Sequence, residues 1–211
     1  MVEFSLIEKI DFEILMAVNG SNSLFMDFVM WWLSDRLIWI PLYLVIAASV
    51  LRRFGWLKGG AIILMAVAMI GLVDQTCASV IRPAFARLRP SSPDNPVSAM
   101  VHIVNGYHGG RYGFPSCHAA NTFAFALFMS LVFRNRYVSL SLIGWSVLVS
   151  YSRIYLGVHY PGDIAGAFIV GATYAILCYL SLRLIPVPAR ITPPPDVVSA
   201  IQILTGRLSS R

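Results

Sequence analysis

The stretch GGAIILMAVAMIGLVDQTCASVI, residues 59–81, decides the fold class, because it is nearly free of charge over the length of a membrane span. A helix that crosses a bilayer core needs about 20 consecutive apolar residues. The rest of the chain shares this character: its 211 residues are 57% hydrophobic and only 12% charged. Soluble domains carry about 25% charged residues. The sequence therefore predicts an all-α, polytopic transmembrane helical bundle.

Other apolar runs extend this pattern to five predicted spans, at about residues 37–51, 59–81, 118–133, 138–155 and 164–185. Residues 1–33 differ, because charged and apolar residues alternate there and the polar stretch 19–23 interrupts them. This segment is predicted to be amphipathic and to lie at the membrane interface. A sixth span over residues 4–33 is the alternative, and the interruption and the acidic start argue against it.

Residues 1–190 are predicted to form one domain, and residues 191–211 a Pro-rich cytoplasmic tail with apolar residues at helical, interfacial spacing. No cleaved signal peptide is expected, since no basic start precedes an apolar core. Basic residues lie in the loops 52–58 and 134–136 and after residue 182, which places these loops in the cytoplasm. We therefore expect an integral protein of a bacterial inner membrane, with the site described below facing the periplasm.

Composition also excludes two classes of function. The net charge of +6 is divided among short loops and polar clusters, so nucleic-acid binding is rejected. The three cysteines, Cys77, Cys117 and Cys178, favour neither a disulfide framework nor a metal site. No cofactor is predicted, and the sequence leaves the oligomeric state open.

The first polar cluster, RPAFARLRP at residues 82–90, directly follows the second span. An arginine presents a planar fork of N–H donors that matches phosphate oxygens, so Arg82 and Arg89 are candidate phosphate ligands. Interfacial arginines that reach lipid headgroups would give the same pattern. This cluster alone favours neither interpretation.

The second cluster, GFPSCHAAN at residues 113–121, opens the third span. A helix N-terminus presents unpaired N–H groups to an anion, and Ser116 adds a hydroxyl group. His118 can protonate a leaving oxygen if a bound phosphate keeps the imidazole charged. The alternative is an N-cap serine beside an interfacial histidine. Cys117 has no base near it in sequence, so we interpret it as a small residue that lets the backbone approach a ligand.

The third cluster, SRIYLGVHYPGD at residues 152–163, concentrates Arg153, His159 and Asp163. Pro161 suits the first position of a helix, which puts Asp163 in the first turn. A carboxylate four residues after His159 can accept a hydrogen bond from one ring nitrogen and leave the other nitrogen able to attack. Taken alone, a helix cap with a surface histidine is the commoner explanation of such a pair.

The predicted topology brings the three clusters to one outer face, although whole spans separate them in sequence. Two histidines, one with a carboxylate partner, together with three arginines and a helix N-terminus suit covalent phosphoryl transfer. No cluster of carboxylates or of Cys and His ligands demands a metal ion. The sequence therefore predicts a phosphoryl-transfer site that works without metal.

The type 2 phosphatidic acid phosphatase (PAP2) family has a three-part signature, which this chain resembles in order at Arg82-x6-Arg89-Pro90, Pro115-Ser116-Cys117-His118 and Ser152-Arg153-x5-His159-x3-Asp163. That family comprises membrane lipid phosphatases related to vanadium haloperoxidases and bacterial acid phosphatases. Two positions depart from its usual pattern, since Arg82 stands for a lysine and Cys117 for a glycine. Neither change removes a nucleophilic or proton-transfer group.

The resemblance implies a role for each matching residue. His159 would attack phosphorus to give a phosphohistidine, while Asp163 orients its ring. His118 would protonate the departing lipid oxygen and then activate water. The groups implied to bind phosphoryl oxygens are Arg82, Arg89, Ser116, the backbone near Cys117, and Arg153. No metal and no cofactor are implied.

Asp74 lies inside the second span, where an acid usually faces other helices, and we predict that it pairs with a motif arginine. A helix-packing hydrogen bond is the alternative. The predicted partner is a phosphorylated membrane lipid, and phosphatidic acid, phosphatidylglycerol phosphate, undecaprenyl diphosphate and a lipid A phosphate fit equally well. A lipid phosphotransferase that uses the same site, or a non-catalytic lipid binder or transporter, is the alternative function.

Overall fold

The computed structural model describes residues 5–184, and every regular element in this range is helical. The described α-helices are α1 (Leu6–Asn19), α2 (Leu24–Ser34), α3 (Ile40–Gln75), α4 (Arg82–Phe85), α5 (Cys117–Phe133), α6 (Arg136–Tyr155) and α7 (Pro161–Leu184). Short 3-10 turns occur at Leu37–Trp39, Pro96–Met100 and Val104–Gly106, and a π-helical turn, Thr76–Ile81, extends α3. The predicted C-terminal tail lies outside the described residues.

Helix α3 consists of two antiparallel arms that meet at Gly55. This glycine has φ 78° and ψ 170°, a backbone conformation that other residues rarely adopt. A Cβ atom on Gly59 would lie 3.1 Å from the Cα of Leu51. In a continuous helix eight residues span about 12 Å, so the chain must fold back between them. The two arms correspond to the first two predicted spans.

Two stretches of the described chain are long and apolar enough to cross a membrane, Leu37–Phe85 and Pro161–Leu184. The first contains both arms of α3. Helix α5 is apolar but only 17 residues long, and the 20 residues of α6 include five serines and two arginines. The all-helical fold is confirmed, whereas the number of membrane crossings stays a prediction.

The N-terminal segment breaks between α1 and α2, at the polar stretch that the sequence indicated. One face of α1 exposes Leu6, Ile7 and Ile10, as expected for an amphipathic helix at a membrane surface. The opposite face carries Asp11 and Asn19, which are buried against the bundle. Helix α1 therefore packs on the protein with polar groups, which the sequence pattern does not predict.

Helix α5 lies at the centre of the bundle and contacts α3, α6 and α7. Small residues allow the closest of these contacts: a Cβ atom on Gly171 of α7 would lie 2.8 Å from the carbonyl oxygen of Ala120. The helices alternate in direction, so α3 and α6 end where α5 and α7 begin. At the opposite end the guanidinium of Arg53, beside the Gly55 turn, lies 5.8 Å from the ring of Phe133. The polar clusters and the basic loops thus occupy opposite ends of the bundle.

Candidate active site

Two short segments hold the first and second polar clusters side by side. Leu88 pairs with Tyr112 in an antiparallel bridge. On either side of it, the Arg89 N–H donates to the Arg111 carbonyl at 3.0 Å and the Gly113 N–H to the Arg87 carbonyl at 2.8 Å. A Cβ atom on Gly113 would lie 2.9 Å from a carboxylate oxygen of Asp163. A glycine here therefore lets these segments approach the third cluster closely.

His159 lies in the loop between α6 and α7 and is only 1% exposed. Its Nδ1 atom is 3.3 Å from Oδ2 of Asp163, and its Nε2 atom is 3.0 Å from Nη1 of Arg89. A guanidinium only donates hydrogen bonds, so Nε2 is the acceptor and Nδ1 carries the proton toward the carboxylate. The Nε2 lone pair thus points at an arginine that is a candidate phosphate ligand.

The surroundings of His159 also set its charge. Burial lowers the pKa of His159 well below its ordinary value, and the charges of Arg89, Arg153 and Arg82 lower it further. Burial lowers the pKa of Arg89 to about 10, again with help from Arg82 and Arg153. Near neutral pH the imidazole is therefore uncharged and the guanidinium remains charged. An uncharged nucleophile beside a cation suits attack on an anionic phosphate.

Asp163 is fully buried, and several hydrogen bonds hold its carboxylate. Its Oδ1 accepts from Nη1 of Arg87 at 2.9 Å, and its Oδ2 accepts from the Tyr160 N–H at 3.0 Å. Arg87 forms a second ion pair with Asp11 of α1. The other carboxylate oxygen of Asp11 accepts from the Gly162 N–H at 2.6 Å, in the first turn of α7. Helix α1 thus helps to position the carboxylate that orients His159.

Arg153 and Arg82 each retain one buried N–H group without a partner. Arg153 is 3% exposed, contacts Ser34 Oγ through Nη1, and donates from Nη2 to the Tyr107 hydroxyl at 3.4 Å. Arg82 donates from Nη2 to the Pro115 carbonyl at 3.3 Å. Within the described chain, Nε of both arginines is buried and unpaired. Buried donors of this kind are costly, and an acceptor such as a phosphoryl oxygen would satisfy them.

Ser116 and Cys117 form the start of α5. Ser116 is its N-cap, with Oγ 3.5 Å from the Ala119 nitrogen, and its own N–H donates to the Asp163 carbonyl at 3.2 Å. The buried Cys117 thiol is hydrogen-bonded with that of Cys77 on the π-helical turn. Ser116 therefore has the capping role that the sequence analysis gave as its alternative. A role for either residue in phosphate binding stays a prediction.

His118 lies one residue into α5, and its Nε2 accepts a hydrogen bond from Nε of Arg36 at 3.2 Å. Both residues line a cavity of about 410 Å³, together with Trp31, Tyr107 and Arg153. His118 is thus the histidine of the site that borders a space large enough for part of a substrate. Small-molecule sites are typically clefts of about 300–1,000 Å³.

Asp74 does not pair with a motif arginine, and that prediction is wrong. Its Oδ1 accepts from Nδ2 of Asn121 at 2.9 Å. None of the ion pairs among residues 5–184 involves it. The reason is positional, because Asp74 faces α5 at the level of Asn121, one turn beyond His118. Asp74 therefore links α3 to α5, as in the helix-packing alternative.

The sequence analysis missed three groups that contact the predicted site: Asp11, Arg36 and Tyr107. Asp11 meets Arg87 across 76 residues of sequence, and Arg36 meets His118 across 82. The sequence around Asp11 or Arg36 does not indicate a partner so far away along the chain. For Arg87 the sequence gives a weak indication of a place in the site, since this residue lies inside the first cluster between the two predicted phosphate ligands.

Comparison with known proteins agrees with this geometry. Residues 59–185 match the PAP2 superfamily. The lipid A 4'-phosphatase of Bacteroides thetaiotaomicron is 43% identical to this chain, over 85% of the chain and 79% of the relative. An undecaprenyl-diphosphatase of Bacillus subtilis is 27% identical, over 80% of the chain and 82% of the relative.

A solved structure shows the same fold. The transmembrane PAP2 type phosphatidylglycerolphosphate phosphatase from Bacillus subtilis aligns with a TM-score of 0.66 and 21% identity, over 90% of each chain. One end of this all-helical bundle brings together a buried imidazole, its carboxylate partner and several arginines, the groups that the sequence analysis predicted for phosphoryl transfer. The chain belongs to the PAP2 superfamily, as the three sequence clusters predicted.

Proposed function

We propose that this chain removes the 4'-phosphate of a lipid A-type glycolipid by way of a phosphohistidine on His159. At the level of its class, the chain is an enzyme that hydrolyses lipid phosphates. The choice of lipid A rests on the relative with 43% identity, against 27% for the undecaprenyl-diphosphatase. The choice of nucleophile rests on one observation: Nε2 of His159 faces Arg89 at 3.0 Å while Asp163 holds Nδ1.

The first step transfers the phosphoryl group to the enzyme. Arg82, Arg89 and Arg153 bind the non-bridging oxygens, and the unpaired Nε groups of Arg82 and Arg153 gain acceptors. Nε2 of His159 attacks phosphorus, and the Nδ1 proton stays hydrogen-bonded to Asp163, which stabilises the charge that develops on the ring. Nε2 of His118 takes up the acidic proton of the bound phosphate monoanion and supplies it to the lipid oxygen as the bond from that oxygen to phosphorus breaks.

The second step releases phosphate and restores the enzyme. His118, now unprotonated, takes a proton from water as the water oxygen attacks the phosphohistidine. The bond between phosphorus and His159 Nε2 breaks, His118 returns the proton to a phosphate oxygen, and inorganic phosphate leaves. The same arginines stabilise the transition states of both steps, because the charge develops on the same phosphoryl oxygens.

The proposed membrane arrangement has five crossings: the two arms of α3, then α5, α6 and α7. Helix α2 has 11 residues and α1 has 14, so both are too short to cross and are assigned to the interface. The end with the basic loops 52–58 and 134–136 is assigned to the cytoplasm. The site then faces the periplasm, where it can act on lipids of the outer leaflet of an inner membrane.

The test is phosphate release by the purified protein in detergent, with a chelator present. We expect loss of the 4'-phosphate from lipid A and faster turnover of lipid A than of phosphatidic acid or undecaprenyl diphosphate. His159→Ala should lower the rate by on the order of 10³-fold or more, since nucleophile removal abolishes the covalent route. His108→Ala, which removes an exposed loop histidine, is the matched control.

Four results would contradict parts of the proposal. Full phosphate release by His159→Ala would exclude His159 as the nucleophile. Faster turnover of another lipid phosphate would exclude lipid A as the preferred substrate. Loss of activity with the chelator would exclude a mechanism without metal. Among residues 5–184, no group of three or more His, Cys, Asp or Glu side chains could hold a metal ion. A phosphorylated acceptor in place of free phosphate would identify a phosphotransferase.

A further inference from the structure

Arg36 lies between α2 and α3 and is held next to His118 by the local chain. The Asp35 carboxylate accepts a hydrogen bond from the Leu37 N–H at 2.7 Å, which fixes the backbone on both sides of Arg36. From this position Nε of Arg36 donates to Nε2 of His118 at 3.2 Å. Arg36 is outside the three sequence clusters, and it touches the atom of His118 that would exchange protons with substrate.

Two cavities have Arg36 and His118 in their walls. The first, of about 410 Å³, lies toward Trp31, Tyr107 and Arg153. The second, of about 230 Å³, extends into the bundle toward apolar and aromatic residues. Arg36 and His118 line both cavities, as do Ser34 and Asp35. A lipid that placed its ester oxygen at His118 would therefore place the same oxygen beside Arg36.

The charges around the larger cavity favour an anion. Arg36 and Arg153 contribute two positive charges, and Asp35 contributes one negative charge. Arg153 is 3% exposed, and its buried Nε has no partner within the described chain. Trp31 and Tyr107 form an edge-to-face ring pair with centroids 5.7 Å apart. Aromatic walls with polar tips are typical of sites that bind a ring with hydroxyl groups, such as a sugar.

We propose that Arg36 is a further catalytic residue, which binds the oxygen that bridges phosphorus and the lipid alcohol, with the sugar of that alcohol in the larger cavity. This inference rests on the proposed phosphatase function and adds the leaving-group side of the site. Arg36 cannot be the proton donor itself, because a guanidinium is always charged near neutral pH. It stabilises negative charge on the bridging oxygen until a proton arrives.

The chemistry balances without a further reactant. The substrate binds as the phosphate monoanion. The Nε–H of Arg36, which donates to Nε2 of His118 in the free site, then donates its hydrogen bond to the bridging oxygen instead. The acidic proton of the monoanion passes to Nε2 of His118. As the bond from phosphorus to His159 forms, the bond from phosphorus to the bridging oxygen breaks, and its electron pair stays on that oxygen. The proton on His118 passes to that oxygen as the bond breaks, and the neutral alcohol leaves.

The experiment compares two leaving groups in wild type, Arg36→Ala and Arg36→Lys. One substrate is a long-chain alkyl phosphate, whose alkoxide needs stabilisation and a proton, and the other is 4-nitrophenyl phosphate, whose phenolate needs neither. For Arg36→Ala we expect kcat to fall about 10²- to 10³-fold with the alkyl phosphate and less than about tenfold with the aryl phosphate. Arg36→Lys should recover part of the loss, because lysine keeps the positive charge. The recovery should be incomplete, because a point charge replaces the planar fork of N–H donors.

The controls separate this proposal from a folding defect and from the proposed substrate. Arg111→Ala removes an exposed cation that pairs with Asp94, and it should leave both rates unchanged. Equal losses with both leaving groups, or no loss with either, would overturn the role of Arg36. A wild type that hydrolyses the alkyl phosphate but not lipid A would remove the lipid A proposal and leave the Arg36 comparison valid. A wild type that hydrolyses no phosphate ester would overturn both.

Discussion

His159 is surrounded by groups that fix the position of its proton. Asp163 accepts from Nδ1, Arg89 faces Nε2, and burial disfavours a second proton on the ring. A catalytic imidazole needs its attacking nitrogen unprotonated in the pH range where the enzyme works. In this site the imidazole's own environment meets that condition, without a general base to remove the proton first.

The lowered pKa of His159 predicts how the stability of the protein depends on pH. Unfolded, this histidine takes up a proton as the pH falls below about 6.5, whereas folded it does not. The unfolded state then binds more protons, so stability is complete above about pH 6.5 and is lost as the pH falls below it. The loss attributable to His159 is at most about 1.4 kcal/mol per pH unit.

This prediction can be checked with thermal unfolding of wild type and His159→Gln in one detergent between about pH 5 and pH 7.5. We expect the midpoint of wild type to fall more steeply on acidification than that of His159→Gln. Comparing the slopes cancels any constant effect of the substitution on stability. Parallel slopes for the two proteins would mean that His159 takes up its proton in the folded state at its ordinary pKa.

Among the helices, α1 contacts the candidate site through Asp11. Asp11 links Arg87 to the first turn of α7, and Arg87 holds the carboxylate that orients His159. We expect Asp11→Asn to lower kcat by about 10- to 100-fold, because a small misplacement of catalytic groups has effects of this size. The KM should change little, since Asp11 touches no predicted phosphate ligand.

Two companion variants distinguish positioning from a general loss of structure. Glu13→Gln removes an exposed acid from the same helix and should keep wild-type activity. Asp11→Glu keeps the charge and should recover part of the lost kcat. A KM that rises in step with the fall in kcat, or an Asp11→Glu variant no better than Asp11→Asn, would exclude the positioning role.

The elements themselves were largely predictable, and their distant contacts were not. The predicted segments 118–133 and 138–155 are helical in the structure, with the bounds Cys117–Phe133 and Arg136–Tyr155. Apolar length and local caps such as Ser116 and Asn135 set these bounds. The pairing of Asp74 with Asn121, and of Arg36 with His118, depends on how helices rotate against one another. Apolar runs without a marked period do not specify that rotation.

At the scale of the whole molecule, the direction of insertion decides which lipids the site can reach. The three native cysteines are buried, so a water-soluble, membrane-impermeant maleimide should react only with a cysteine introduced at an exposed position. In intact cells we expect Asp94→Cys, in the loop at the site end, to be labelled. Arg136→Cys, at the opposite end, should be labelled only after the membrane is opened. The reverse pattern would place the site in the cytoplasm.

The burial of His159 behind Arg89 has a consequence for inhibitor chemistry. The chain has four histidines, and the other three are more exposed than the proposed nucleophile. A general histidine reagent will therefore modify those three first. Because one of them, His118, belongs to the proposed site, loss of activity after such treatment would not show that His159 had reacted. A selective covalent inhibitor needs an anionic group, such as a phosphonate, that draws the Arg89 guanidinium away from Nε2 before its electrophile can react. Arg89 thus limits covalent reaction at His159 to electrophiles that also carry an anionic group.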